Sequence, residues 1–257
     1  MDYIYLGIYS IIQGVTEFLP ISSSAHLMLL SKFWGIEPDV SAFMEILAHI
    51  GSLAAIILFM RHRIWGIMRG FFSRGDNPEK SEAWKIAASF VPIAIVGAFM
   101  AATGFKSESI RLTAIFLIVF GIILWAAERF FGNKTDEISW KSAMAAGFMQ
   151  CFAAIHGASR SGTCMSGLMM TGVRRKAAAE FAFLMAIPAI AAAGLSDFIK
   201  VRNGAPIDLA PGLFVLSLSF IASYAAIGTL MRLVQRYSFA WAAAYRIILG
   251  ALLLILF

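Results

Sequence analysis

Residues 13–26 read Gln13-Gly14-Val15-Thr16-Glu17-Phe18-Leu19-Pro20-Ile21-Ser22-Ser23-Ser24-Ala25-His26. The stretch carries an amide, a carboxylate, consecutive hydroxyls and an imidazole, and apolar sequence flanks it on both sides. Ionisable groups at membrane depth are expensive and by default mark function. Pro20 removes a backbone donor and disfavours helix at the residue before it, so residues 3–19 are expected as an apolar helix that breaks there. Ser22, Ser23 and Ser24 suit a turn or an N-cap. A second short apolar piece, 25–35, ends at Trp34-Gly35. Neither piece comfortably spans a bilayer alone. The reading is a helix, a break and a helix that enter and leave by the same face. Irregular backbone of this kind is tolerated only under a cover of protein or water.

The same architecture recurs. Residues 142–156 read as an apolar helix that breaks at Gly157. The polar run Ser159-Arg160-Ser161-Gly162-Thr163 follows, and a short apolar piece ends at Arg174-Arg175-Lys176. A shift of 137 positions places Gln13 on Gln150, Pro20 on Gly157, Ser22 on Ser159, Ser23 on Arg160, Ser24 on Ser161 and Ala25 on Gly162. Between and beyond the two broken pairs lie the segments 43–60, 86–105, 112–127, 177–196, 212–231 and 239–257. Each reaches or approaches the ~20 helical residues that cross a hydrocarbon core. They are apolar most of the way round, as lipid-embedded helices are. The expected fold is an all-α integral membrane protein. It is one domain over 1–257, with about six transmembrane helices and two re-entrant broken-helix pairs, in repeat halves of about 1–130 and 138–257.

Composition agrees with that class. The chain is 60% hydrophobic and 14% charged, against about half and about a quarter in soluble domains. The net charge of +6 sits mostly at the ends of apolar segments, so it reports topology. Fourteen of the 21 Lys and Arg fall within 61–85, 129–141, 174–176 and 232–236, which assigns those loops to the cytoplasmic face. Lys32, Lys106, Arg111, Lys200 and Arg202 fall on the other face, and Arg160 and Arg246 within the membrane. Both termini then lie outside. The two broken pairs enter from opposite sides, so the repeat is inverted and its polar tips meet near the midplane. No Lys/Arg stripe with interleaved aromatics points to nucleic acid, and no cleavable signal peptide is evident. Cys151 and Cys164 lie in apolar surroundings and read as packing residues.

Gln13 and Glu17 are four apart and share a helix face one turn before the break. Ser23 and His26 follow it. Arg160 comes from the other tip, flanked by Ser159, Ser161 and Thr163. A guanidinium, several hydroxyls and helix N-termini make a phosphate cradle, for which Ser22, Ser24, Ser159, Arg160, Ser161 and Thr163 are the candidates. Glu17 is a candidate cation ligand or base, His26 a proton shuttle and Ser23 a nucleophile. Blander roles stand beside these: helix caps for the serines, a structural histidine, and a salt bridge from Arg160 to Glu17. Glu45 and His49, also four apart, either back the tip or face a polar mouth. Arg246 reads as the partner of a membrane carboxylate or as a snorkelling cation.

These residues resemble the undecaprenyl-diphosphatase family, membrane phosphatases of the bacitracin-resistance type. The first signature, Glu or Gln, three residues, then Glu, is Gln13 to Glu17, continued by Phe18-Leu19-Pro20-Ile21-Ser22-Ser23 and His26. The second, Pro-Gly-x-Ser-Arg-Ser-x-x-Thr, corresponds to His156-Gly157-Ala158-Ser159-Arg160-Ser161-Gly162-Thr163-Cys164. His156 replaces the usual Pro and Cys164 the usual Thr. The resemblance covers almost the whole chain and implies hydrolysis of undecaprenyl diphosphate to the monophosphate, which recycles the lipid carrier of cell-wall synthesis. It further implies a divalent cation, Mg2+ or Ca2+, held by Gln13 and Glu17. Arg160 then neutralises phosphate, Ser23 or a water attacks, and His26 assists proton transfer. The implied location is the bacterial cytoplasmic membrane. Polyprenyl diphosphate and membrane lipid are the expected partners, and a homodimer is an open assembly state. The two departures leave open a paralogous lipid-diphosphate phosphatase. The inverted repeat leaves open a transporter or flippase of a phosphorylated polyprenyl lipid.

Overall fold

The computed structural model describes the backbone of residues 2–35, 38–104, 109–201 and 209–257, and side chains within 2–35, 43–104, 109–196 and 210–257. Lys106, Lys200 and Arg202, which enter the charge count, lie outside the described side chains. The element order is α1 (Tyr3–Phe18), α2 (Ser23–Trp34), α3 (Pro38–Phe59), α4 (Arg61–Phe71), α5 (Pro78–Thr103) and α6 (Ile110–Ala126), which runs into a π turn (Ala127–Phe131). Then come α7 (Trp140–Gln150), a 3-10 turn (Cys151–Ala154), α8 (Arg160–Met170), α9 (Arg175–Val201), α10 (Leu209–Arg236) and α11 (Ala240–Leu256). Among the described residues there is no strand, only an isolated bridge between Thr135 and Val173.

Local chemistry explains several helix starts. The side chains of Asp2, Asn77, Ser109 and Ser139 each accept from a first-turn amide, and Pro78 follows Asn77 where its missing donor costs nothing. Two elements differ from the sequence expectation. The polar stretch 61–85 is mostly helical: α4 bends 76° from α3, and α5 begins at Pro78. In α4, Arg61, Arg63 and Arg69 share the helix with Ile64, Trp65, Ile67 and Met68, an amphipathic pattern that loop-like charge density concealed. The helix expected over 142–156 ends at Gln150, where Cys151 N bonds back to Phe148 and Met149 carbonyls and the chain tightens into the 3-10 turn.

The chain is a multi-pass membrane protein. By length and composition α5, α6 with its π turn, α9 and α10 can cross a bilayer, and the bent pair α3–α4 makes a fifth. The apolar α11, at 17 residues, is shorter. Large apolar side chains such as Ile95, Phe99, Ile248 and Ile255 face outward, as lipid requires. Inside, Phe18 meets Phe183 edge to face at 5.4 Å between centroids within a core of Ile56, Leu124, Met165 and Phe239.

Helix α1 packs on α10, α10 on α3, α3 on α9, α5 on both α7 and α9, and α6 on α11. These contacts exchange with one another when α1, α2, α3, α5 and α6 are swapped for α7, α8, α9, α10 and α11. Ion pairs gather at one end: Arg63 with Glu82, Arg174 with Asp136, and Arg175 with Glu128, whose other oxygen accepts from Phe239 N. At another site, Arg111 donates to the Phe257 carbonyl and the Lys32 ammonium lies over the Phe257 ring.

Candidate active site

The breaks after α1 and before α8 meet. Ser22 and Ser159, equivalent under the 137-residue shift, both adopt positive φ, 72° and 69°. Left-handed backbone at a non-glycine costs ~1–3 kcal/mol and persists only where surroundings over-determine it. Here the surroundings repeat as well. Ser22 Oγ lies 3.3 Å from Ser24 Oγ, and Ser159 Oγ 3.3 Å from Ser161 Oγ. Ser159 Oγ also accepts from Gly162 N, capping α8. Gly157 has φ +94°, and a Cβ there would run into the Thr113 carbonyl, so no other residue fits.

Non-helical backbone leaves carbonyls needing donors, and Ser161 and Arg246 supply them across the two tips. Ser161 Oγ donates to the Leu19 carbonyl across the two tips at 3.0 Å. Arg246, fully buried, donates to Pro20 O at 3.3 Å, Gly157 O at 2.9 Å and Ala158 O at 2.7 Å. Gly162 makes room for it, since a Cβ there would lie 2.7 Å from Arg246 Nη1. Arg246 thus neither pairs with a carboxylate nor snorkels; it clamps both tips by their backbones. The available signal was a lone arginine inside an apolar span in a chain with two helix breaks.

Glu17 is the hub between the tips and is 7% exposed. Its Oε2 accepts from Gln13 Nε2 at 3.0 Å and from Ser23 Oγ at 2.6 Å. Its Oε1 faces Arg160 Nη1 at 3.4 Å. His49 Nε2 stands 3.7 Å from Oε2, while its Nδ1 donates to the Glu45 carbonyl at 2.8 Å. With Nδ1 as the donor, a neutral His49 turns a lone pair toward the carboxylate. Gln13 Oε1 is buried with no partner. Free acceptors beside a carboxylate are what a hard cation takes, so Gln13 and Glu17, with His49 behind them, fit a divalent ion. Among the described residues no three His, Cys, Asp or Glu side chains gather into a complete cage. An ion here would keep waters or substrate oxygens as further ligands, as Mg2+ does.

The remaining candidates are placed differently. His26 makes no direct bond to Glu17 or Ser23. Its Nδ1 donates to the Ser22 carbonyl at 2.7 Å, and Nε2 meets Tyr245 Oη at 2.5 Å with the rings stacked. Tyr245 was not a sequence candidate; nothing local connects it to a residue 219 positions away. Thr163 Oγ1 donates to the Arg160 carbonyl, Ser161 to Leu19, and Ser159 is the donor left for the Ser159–Ser161 contact. The hydroxyl hydrogens of the second tip are therefore engaged. What that tip offers an anion is the Arg160 guanidinium and the first-turn amides of α8 that Ser159 does not cap.

Cys164 is buried and its thiol donates to Gln150 Oε1 at 3.2 Å, so it supplies a donor in the packing of α7 on α8. Cys164→Ser should keep activity within about threefold, whereas Cys164→Val should lower stability by about 1–3 kcal/mol by stripping Gln150 of its donor. Thermal unfolding in detergent reads the difference; equal melting temperatures for the two variants would refute it. His156, the other departure, has a buried Nδ1 with no partner.

Comparison with known proteins places this geometry. Residues 6–252 match the family described as bacitracin resistance protein BacA. The chain is 40% identical to the undecaprenyl-diphosphatase of Maricaulis maris (strain MCS10) over 269 aligned positions, covering 100% of both chains. It is 34% identical to that of Corynebacterium efficiens, covering 97% of this chain and 88% of the relative, and 33% identical to that of Campylobacter curvus over the full length of both. A family match across almost the whole chain, with both polar tips inside it, means that this protein belongs to the bacitracin resistance protein BacA family.

Proposed function

We propose that this protein is an undecaprenyl-diphosphate phosphatase whose reaction is run by the Glu17–Ser23–Arg160 cluster. It hydrolyses undecaprenyl diphosphate to undecaprenyl phosphate and inorganic phosphate. The observation that carries the site is the 2.6 Å bond from Ser23 Oγ to Glu17 Oε2, with the Arg160 guanidinium 3.4 Å from the other carboxylate oxygen. A nucleophile, a base and a phosphate-binding cation are thereby in one place, around a buried carboxylate.

The terminal phosphate docks on Arg160 and the first-turn amides of α2 and α8, where dipole and guanidinium both favour negative charge. Ser23 Oγ, or a water in its place, attacks the terminal phosphorus while Glu17 takes the proton; where Ser23 attacks, a water afterwards cleaves the phosphoserine ester, releasing inorganic phosphate and restoring the hydroxyl. The bond from that phosphorus to the bridging oxygen breaks, and the prenyl monophosphate leaves with the oxygen. His26, fixed between the Ser22 carbonyl and Tyr245, relays a proton toward the leaving group. Gln13 and Glu17 would hold a divalent cation, Mg2+ or Ca2+, which when bound would supply charge neutralisation to the diphosphate. Ser22, Ser24, Ser159, Ser161 and Thr163 shape the tips and keep the amides pointed at the anion.

The same reading puts the chain in the bacterial cytoplasmic membrane with both termini outside, because the basic loops then face the cytoplasm. The halves 1–130 and 138–257 are an inverted pair, supported by the equivalent Ser22 and Ser159 backbones and the exchanging helix contacts. Phosphate release by the purified protein tests the proposal directly. Undecaprenyl diphosphate should be turned over, a chelator should stop it, and Mg2+ or Ca2+ should restore it. No phosphate release under any of these conditions would leave a carrier as the better reading, and chelator-insensitive turnover would remove the cation.

A further inference from the structure

Helix α4 carries two apolar stripes. Ile64, Ile67 and Phe71, spaced i, i+3 and i+7, face protein. Ile67 is buried in the core, Ile64 packs against that core, and the Phe71 ring lies 5.6 Å from that of Trp84 on α5. Trp65, Met68 and Phe72 repeat the spacing one position on and face outward, 71%, 49% and 76% exposed. Three large side chains in line on one helix face make a contiguous apolar patch, and such patches mark interaction surfaces.

The charge beside that stripe has one sign. From Arg61 to Gly75 the chain holds four arginines and no carboxylate. Arg61 and Arg69 stand one turn before and one turn after Trp65, and Arg74 follows Phe72. Arg63 is paired with Glu82 at 2.6 Å. Arg69 and Arg74 form no ion pair among the described residues. The placement of the helix is the third observation. It follows α3 after Met60 alone and bends 76° from it, so it lies across the direction of the span at the span's end. Arg61 Nη1 donates to the Leu58 carbonyl in the last turn of α3 and steadies the bend. Phe72, Phe71 and Trp84 form a row of rings 5.2 and 5.6 Å apart, and Trp84 stands just before the apolar part of α5. Tryptophan at the end of a span marks the boundary between membrane and water. A helix lying in that boundary puts an apolar face among the acyl chains and cations among the headgroups.

We propose that α4 is a docking face for anionic phospholipid. Trp65, Met68 and Phe72 enter the boundary between headgroups and acyl chains. Arg61, Arg69 and Arg74 bind the negative headgroups of the same leaflet. The stripe and the unpaired arginines are thus two halves of one lipid site, in which each half matches one end of the same molecule. An acidic soluble protein would match the arginines alone. The proposal is independent of the phosphatase reading, because it concerns binding and not turnover.

Tryptophan quenching of the full chain in phosphatidylcholine vesicles tests it. The Trp65 signal is the difference between the wild type and Trp65→Phe. Phosphatidylglycerol brominated on its acyl chains near the headgroup should bind beside Trp65 at least about threefold more tightly than equally brominated phosphatidylcholine, as read from quenching at matched mole fractions. Arg69→Gln with Arg74→Gln should reduce that preference to less than about 1.5-fold. Its thermal midpoint should match the wild type, because both side chains are exposed. A Trp65 signal that neither lipid quenches, equal quenching by the two lipids, or a preference that survives the double substitution would overturn the proposal. So would a Trp65 shielded from both lipids in a dimer seen by mass, which would assign the stripe to a second copy of the chain.

Discussion

Replacing Arg246 by methionine should abolish turnover and lower the thermal midpoint by roughly 10 °C or more. The guanidinium bonds to Pro20, Gly157 and Ala158 carbonyls in a site with no exposure. Each buried acceptor left bare costs about 1–3 kcal/mol. In a chain of this size each kcal/mol moves the midpoint by ~2–4 °C. The greater effect is positional. Glu17 stands one turn before the first break and Arg160 just after the second, and Arg246 is bonded to the backbone of both. Methionine keeps the volume and removes the donors, so the tips lose register. Arg246→Lys, which retains the charge and reaches fewer carbonyls, should recover part of the stability and less of the kcat. A methionine variant that melts with the wild type and turns over normally would show that the tips hold without the clamp.

Arg160→Ala should cost a factor of at least about 10³ in kcat at a melting temperature near that of the wild type. Its contact with Glu17 is long, 3.4 Å, and its side chain is about one quarter exposed, so the fold depends on it little. In the proposed scheme its guanidinium is the second tip's charged donor to the phosphate. Arg160→Lys should restore charge without the planar fork and should recover kcat only in part. Phosphate release by single turnover separates binding from chemistry. Near-normal turnover in the alanine variant would sink the reaction scheme, because among the described residues no other Lys or Arg pairs with Glu17.

The two outcomes also show what the chain's order does and does not reveal. Pro20 and Gly157 were readable as breaks because their backbone limits act locally. Gln13 and Glu17 were readable as neighbours because a helix repeats every 3.6 residues. The hydrogen bonds of Arg246 and of Tyr245 were not, since they join residues 226, 89, 88 and 219 positions apart and depend on how α11 packs. The serines were readable as polar but not as occupied. Only the positions of Leu19 O and Arg160 O reveal that Ser161 and Thr163 have spent their hydrogens. Amphipathic α4 was hidden by its arginines, whose density resembles a loop when the 3.6-residue period goes uncounted.

The Arg246 clamp has one more consequence. All three of its acceptors are main-chain carbonyls, and every amino acid brings the same carbonyl. The bonds of the joint are therefore blind to side-chain identity, and it is the Thr113 carbonyl, not the clamp, that demands glycine at 157. A proline serves at 20 in one tip, and glycine and alanine serve at 157 and 158 in the other, under one and the same guanidinium. His156 can stand next to that joint in place of a proline without loosening it. The two halves are free to diverge in sequence and in chemistry, one toward the carboxylate and hydroxyl, the other toward the guanidinium, while remaining mechanically one piece.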